Sequence, residues 1–246
     1  MTESEWLTCT DPTPMLEFLR GKASDRKLRL FGCSCCRRVE HVLMQIKGAC
    51  RAIDIAEVVA DGGIVEENID DYSHSIWSTA FSGPNLFGGV RSTEFRMSAG
   101  MAAACVLTGL SNFPLHNPKP PGPTLSELSN CCECCAAALA HCLRADDHDP
   151  MNHSVILTEM VEQAKLLRDI FGNPFRPVTI DPRWLTSNVV DLASVIYDER
   201  AFDRMPILAD ALTDAGCDDE GIIGHCRGDG PHVRGCHVID ALLGKS

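Results

Sequence analysis

Close to the end of the chain, the stretch "GHCRGDGPHVRGCH" carries five side chains that can bind a metal ion. They are three histidines and two cysteines: His225, Cys226, His232, Cys236 and His237. Imidazole nitrogen and thiolate sulfur are preferred ligands of zinc, which takes four of them in a tetrahedron at structural sites. The stretch therefore offers a zinc site made of His225, Cys226, His232 and Cys236, although its spacing is not the two separated pairs of a zinc finger.

The same stretch can instead be interpreted as an anion site. Arg227, His232 and Arg234 supply positive charge beside the amide groups of a helix N-terminus, and such groups hold phosphates or carboxylates. The competing interpretation pairs both arginines with nearby acids, and it is favoured. Candidate partners are Asp218, Asp219 and Asp240.

A purely structural interpretation of the stretch is favoured over both sites. One helix would end near residue 226, the chain would turn at "GDGP", and the last helix would begin at His232. Cys236 lies four residues after His232, so both would face the same way on that helix. Most of these histidines and cysteines would then cap helices or fill the core.

Two further clusters of cysteine are "CSCC" at 33–36 and "CCECC" at 131–135. Cys131 and Cys135 would share one face of a helix, and two such helices side by side could make a four-thiolate site. The neighbouring "AAALAH" indicates close helix packing, in which cysteine acts as a small apolar residue. This core-filling role is the favoured interpretation.

Nothing in the sequence is typical of an enzyme. It contains no nucleophile elbow, phosphate-binding loop or metalloprotease motif. Cysteine, histidine and aspartate are all present, but their number makes chance proximity expected. The sequence thus favours a protein without catalytic activity.

Two surfaces could contact a partner. The helix that includes Arg26, Arg29 and Arg37 carries a basic stripe, which would meet either an acidic partner or acidic residues of the same fold. Around residue 175, "FGNPFRPVTIDPRW" sets aromatic residues and arginine among three prolines. Phe175, Arg176 and Trp184 would form either a core plug or an exposed recognition loop.

The net charge of −12 and the 14 cysteines limit the expected partners and the expected cellular compartment. An acidic surface repels phosphate backbones, so nucleic acid is not an expected partner. No N-terminal signal peptide or membrane-length apolar run is recognisable, so we expect a cytoplasmic protein with reduced thiols and no membrane contact.

Apolar residues recur at helical spacing through most of the chain. Between Ser24 and Ile46 the steps are three or four residues, which is typical of one helix face. Only "PVTI" resembles a strand. We predict an all-α protein, built as an antiparallel helical bundle or a short helical-repeat-like array. The proline-rich segment 113–124 would separate helical regions 1–112 and 125–246, which could also pack as one domain.

Both ends of the chain resemble an uncharacterised family of bacterial proteins. The resemblance rests on "EWLTCTDPTPMLEFLRGKASDRKLRLF" at the start and on "LLRDIFGNPFRPV" and "IYDERAFDRMPILADALTDAGCDDEGIIGHCRGDGPHVRGCHVIDALLGK" at the end. It covers about half of the chain, and the middle, about 63–150, looks divergent. The resemblance implies no activity, cofactor or site residue, but it suggests that the closing segment is a module of its own.

Taken together, these features predict a non-catalytic helical protein whose role is protein–protein interaction or scaffolding, without a cofactor. The alternative is a small-molecule-, anion- or zinc-binding protein, or an enzyme, that uses the His, Arg and Cys residues near the C-terminus. Convergence of those side chains on one pocket would favour the alternative.

Overall fold

The computed structural model describes residues 1–44, 46–65, 76, 130–135 and 153–246. Within these ranges every regular element is helical and no strand is present, so the predicted all-α class is confirmed. Residues 130–135 are also helical. The α-helices are α1 (Glu3–Thr8), α2 (Pro12–Phe18), α3 (Asp25–Arg38), α4 (Glu40–Leu43), α5 (Ala49–Ala60), α6 (His153–Phe171), α7 (Ser187–Glu199), α8 (Met205–Asp214), α9 (Glu220–Arg227) and α10 (His237–Leu242).

The chain forms two compact units. We call Cys9–Ala164 the N-terminal unit, and Met1–Thr8 together with Lys165–Ser246 the C-terminal unit. Their boundaries therefore fall after α1 and within α6. The expected linker at 113–124 lies outside the described residues.

In the described part of the chain, no helix combines the length and the apolar character that crossing a bilayer requires.

Local sequence signals set several helix starts. Ser24 caps α3 by accepting a hydrogen bond from the Lys27 amide, and Asp11 caps α2 in the same manner from Thr13. The single helix expected between Ser24 and Ile46 is interrupted at Val39, which separates α3 from α4. Capping residues and apolar spacing thus predict where these helices begin, but they do not predict every helix end.

In the N-terminal unit, the basic residues of α3 mostly face acids of the same fold. Arg37 forms ion pairs with Glu40, Asp54 and Glu57, and Arg38 binds the buried carboxylate of Glu159 through two guanidinium nitrogens. Of the two interpretations of the basic stripe, internal pairing describes Arg37 and also Arg26, which pairs with Asp61.

The C-terminal unit is built around one apolar core to which α7, α8, α9 and α10 all contribute. Asp219 caps α9 by accepting hydrogen bonds from two amide groups of its first turn, and Thr186 caps α7. The largest buried contributors to this core are Trp184, Ile196, Tyr197, Met205, Leu208, Leu212, Ile222, Ile239 and Leu242.

Helix α1 is attached to the end of α6 by the buried side chain of Trp6. The indole Nε1 donates a hydrogen bond to the Gly172 carbonyl at 2.9 Å, and Arg168 Nη1 donates to the Trp6 carbonyl at 3.2 Å. Gly172 has a φ of +63°, and a Cβ there would lie 2.7 Å from the His237 ring. Glycine is therefore required at this helix end, both for its backbone conformation and for space.

Replacing Trp6 with phenylalanine should destabilise the C-terminal unit. The Gly172 carbonyl would lose its buried donor, and we expect a loss of about 1–3 kcal/mol in the free energy of unfolding. Denaturant unfolding measures it. The control is Leu7→Ala, which truncates a half-exposed neighbour and should change stability by no more than about 0.5 kcal/mol. Equal effects of the two substitutions would contradict the assigned role of the indole.

Candidate metal centre

Four side chains that can bind a metal converge in the C-terminal unit. They are Asp169 from α6, His225 from α9, and His232 and Cys236 from the segment 228–236 that joins α9 to α10. One ligand atom from each lies within 4.8 Å of the other three. The cluster thus joins two helices and an irregular segment.

His225 lies at the middle of the cluster. Its Nε2 is 3.2 Å from Asp169 Oδ1 and 3.1 Å from Cys236 Sγ. The ring also makes edge contacts with the rings of His232 and His237, with centroids 4.8 and 4.3 Å away. Three imidazoles are therefore packed together, and two of them, His225 and His232, face the Asp169 carboxylate.

Asp169 organises the segment through three acceptor atoms. Oδ1 faces His225 and His232, Oδ2 accepts the Val233 amide at 3.0 Å, and the backbone carbonyl accepts His237 Nδ1–H at 2.8 Å. Burial alone would raise the pKa of this carboxyl, but the hydrogen bonds from the two imidazoles outweigh burial and hold the pKa below its ordinary value. Asp169 is thus a buried anion.

His232 has an acceptor at each ring nitrogen. Nδ1 lies 3.1 Å from Asp169 Oδ1 and Nε2 lies 3.2 Å from the Gly228 carbonyl oxygen. Burial opposes the charged ring, yet the hydrogen bond and the charge of Asp169 prevail and raise the pKa of His232. Without metal, the Asp169 charge therefore favours the cationic form of this ring.

Cys236 is a fully buried member of the cluster. Burial, followed by the nearby Asp169 carboxylate, raises the pKa of its thiol well above the ordinary value. The metal-free site therefore holds a protonated thiol. A bound cation would reverse this preference, because thiolate is the form that binds metal.

The arrangement does not suit a nucleophilic cysteine. In a catalytic triad the carboxylate and the nucleophile bind opposite nitrogens of the imidazole. Here Cys236 and Asp169 both face Nε2 of His225, and the thiol is buried with a raised pKa. The geometry favours ligation of a cation over attack on a substrate.

A cleft of about 220 Å³ lies next to the cluster. Its wall includes three residues of the cluster, Asp169, His225 and His232. The rest of the wall is formed by Lys165 and Arg168 of α6 and by residues 228–231. Three of the four converging residues are thus reachable from a cavity, while Cys236 is not among its lining residues.

Three of the four residues in the zinc set predicted from the sequence meet in this cluster: His225, His232 and Cys236. Cys226 is fully buried in the core, where burial raises the pKa of its thiol to about 12, and it is not part of the converging group. Asp169 takes the fourth place. Its one sequence signal is an acidic residue within the apolar run "LLRDIF", where the neighbouring Leu166, Leu167 and Ile170 are buried.

The predicted helix start at His232 is wrong. Residues 232–236 are irregular and α10 begins at His237, because Gly235 takes a left-handed φ of +92° and the Val233 amide is bound by Asp169. His232 and Cys236 therefore converge through a turn, and not through one face of a helix.

The three residues of the predicted anion site have separate partners. Arg227 Nη2 lies 2.9 Å from Asp210 Oδ1 at the surface, and the Arg234 guanidinium packs over the Tyr197 ring at 4.9 Å. His232 is paired with Asp169. The pairing expectation is met for Arg227, by an acid, Asp210, other than the three candidates, whereas Arg234 packs over an aromatic ring.

The predicted interaction loop is only partly at the surface. Phe175 is 40% exposed, and Arg176 is exposed and paired with Glu3. For Trp184 the core-plug interpretation applies and the recognition-loop one does not, because the short 3₁₀ turn Pro182–Trp184 directs its side chain into the core. Trp184 is a core plug.

Replacing Asp169 with asparagine should remove the charge that raises the pKa of His232. In protein freed of metal by a chelator, we expect the pKa of His232 to fall, and the variant to lose about 3–5 kcal/mol of stability as a buried pair is broken. NMR titration of the ring protons measures the pKa. Asp210→Asn, which affects only the surface pair with Arg227, should leave the His232 titration unchanged. An unchanged titration in Asp169→Asn would contradict the pairing.

The pairing also sets a pH window for the metal-free protein. The charge on Asp169 stabilises the fold above the ordinary pKa of aspartate, and this contribution is lost as pH falls through the lowered pKa. The charge on His232 stabilises below the ordinary pKa of histidine, and this contribution is lost as pH rises through the raised pKa.

Comparison with known proteins yields no match: no protein-family model, no curated protein and no solved structure matches the chain. The resemblance of both ends to a bacterial family stays a prediction. Assignment of the site therefore rests on its geometry and chemistry.

Proposed function

We propose that this protein binds a transition-metal ion, with Zn²⁺ as the favoured ion, through Asp169, His225, His232 and Cys236. The observation that carries the proposal is the convergence of two imidazoles, one thiol and one carboxylate within 4.8 Å in a largely buried position. Four donors of these types match the tetrahedral preference of zinc. Mg²⁺ and Ca²⁺ prefer sites made of oxygen alone, which this cluster is not.

The separations support the same ion. Zinc bond lengths of about 2.0–2.3 Å give ligand–ligand edges of about 3.3–3.8 Å in a tetrahedron. The shortest separations between ligand atoms here are 3.1 and 3.2 Å. These are hydrogen-bond lengths, in which a proton lies between the two heavy atoms. Opening the cluster by a few tenths of an ångström would admit the ion in place of the protons.

The surrounding hydrogen bonds suit ligands of a metal. The Gly228 carbonyl can hold the proton on Nε2 of His232, which leaves Nδ1 for the ion, and His237 fixes the backbone of Asp169. Such outer partners orient metal ligands and set their tautomers.

The proposed role of the ion is structural. It would link α6, α9 and segment 228–236 at one point, so that its binding free energy adds to the stability of the C-terminal unit. The cleft beside the site would give the ion a path of entry.

Protein–protein interaction or scaffolding in the cytoplasm remains a compatible proposal. It is supported by exposed apolar side chains in the C-terminal unit, among them Ile207 at 57% and Phe175 at 40%. A small helical unit stabilised by metal can present such a surface without catalytic activity.

Removal of one ligand should abolish stable zinc binding at this centre. We expect Cys236→Ala to reduce the Zn²⁺ affinity of the centre by about 100-fold or more, while Cys226→Ala leaves it within a few-fold. The two cysteines are a matched pair, since both are fully buried in the same core. Competition with a chromophoric chelator measures the affinity, and elemental analysis of His232→Ala, prepared without added metal, provides an independent check. Equal affinity in both cysteine variants would refute the centre.

Zinc affinity should fall steeply with decreasing pH. The pKa of Cys236 is raised well above its ordinary value, so zinc binding near neutral pH must displace the thiol proton. The raised pKa of His232 adds a second proton that competes with the ion. Between about pH 8 and pH 6 we expect at least a roughly 100-fold loss of affinity. Calorimetry in buffers of different ionisation enthalpy counts the protons released. A flat profile would show that these two side chains are not ligands.

A further inference from the structure

A second group of metal-binding atoms lies in the N-terminal unit and consists of sulfur alone. Cys36 of α3 has its Sγ 3.8 Å from that of Cys131 and 3.9 Å from that of Cys135. Cys131 and Cys135 lie one turn apart in the helical segment 130–135. All three sulfurs lie within 4.8 Å of one another.

The three thiols are held in a dry environment. Cys36 and Cys135 are fully buried and Cys131 is 1% exposed. Their polar contacts are weak: the sulfurs face one another, and Cys131 Sγ also lies 3.9 Å from the Gly32 carbonyl oxygen. The Cys131 thiol and burial keep the pKa of Cys135 well above its ordinary value, although Cys36 opposes them. Without metal, Cys36 and Cys135 are thus held as thiols.

The triangle of sulfurs has the size of a thiolate metal site. The point equidistant from the three atoms lies about 2.2–2.5 Å from each, which includes the typical zinc–sulfur bond length. A cation could therefore bind all three sulfurs with little movement of either helix.

Core filling alone does not account for this arrangement. It requires that thiols be buried, and Cys33 of α3 meets that requirement, with its Sγ 4.0 Å from the Ile53 carbonyl oxygen. It does not require sulfurs from two helical segments to meet at one point. Convergence is the feature that indicates ligation.

We propose that Cys36, Cys131 and Cys135 form a three-thiolate site for a thiophilic metal ion, distinct from the mixed centre in the C-terminal unit. Soft sulfur ligands select ions such as Cu⁺ and Zn²⁺ over hard cations. Cu⁺ can be satisfied by three sulfurs, whereas Zn²⁺ would need a fourth donor in addition to the three sulfurs of this group. The two centres therefore differ in the ion they retain.

The test uses the full chain, reduced and freed of metal, and titrates it with Co²⁺ under anaerobic conditions. Sulfur-to-cobalt charge-transfer absorption grows with the number of bound thiolates. We expect two binding events, one with the absorption of about three thiolates and one with that of a single thiolate. Only the single-thiolate event in the wild-type chain would overturn the proposal.

Variants assign the two events. Cys36→Ala should remove the strong charge-transfer absorption and leave the weak one, whereas Cys236→Ala should do the reverse. The matched control is Cys33→Ala, since Cys33 is as buried as Cys36 and lies on the same helix. If Cys33→Ala and Cys36→Ala lost the absorption equally, the three-sulfur site would be refuted. Cys131→Ala repeats the test from the other helical segment if Cys36→Ala does not fold.

Competition then identifies the ion. Cobalt at the three-thiolate site should be displaced by Zn²⁺, by Cu⁺ kept reduced, or by both, with Cu⁺ effective at the lower concentration. Either displacement supports the site and names its ion. Failure of both ions to displace the cobalt would overturn the proposal. Loss of the single-thiolate event alone would instead refute the mixed centre, so the two assignments fail independently.

Discussion

The conformation of segment 228–236 depends on the buried carboxylate of Asp169. Asp169 lies in the last turn of α6, and an anion at that depth is tolerated because hydrogen-bond donors face it. Those donors are two imidazoles and a backbone amide from the segment between α9 and α10, while a third imidazole binds the carbonyl of the same residue. An irregular loop thereby acquires a defined conformation. Without that anion, nothing in the local sequence of segment 228–236 would bring His232 and Cys236 to His225.

Much of the fold could be predicted from local sequence, because caps and apolar periodicity are local. Ser24, Asp11 and Asp219 begin helices as their side chains dictate. The tertiary relations were harder to predict. His225, His232 and Cys236 were recognisable by type and proximity, but Asp169 lies 56 residues before His225 and carries no motif, so only packing could reveal it. The error at His232 has the same origin, since a tertiary hydrogen bond to Val233 competes with helix formation.

The cysteines illustrate a different limit. Apolar burial and metal ligation favour the same residue at the same helix face, and sequence spacing does not distinguish them. What distinguishes Cys36 from Cys33 is which sulfurs they meet, and this depends on the register between α3 and segment 130–135. Cys226 and Cys236 form a parallel case: both belong to one apolar core, but only Cys236 lies at the edge that faces the imidazoles.

The position of Trp6 has a consequence for synthesis of the chain on the ribosome. Helix α1 precedes residues 9–164 in the chain, yet its indole binds a carbonyl that follows α6. Synthesis therefore completes the N-terminal unit before that carbonyl emerges. Helix α1 must stay undocked until then, and closing so long a loop costs entropy. Docking of α1 thus follows synthesis of the residues after α6.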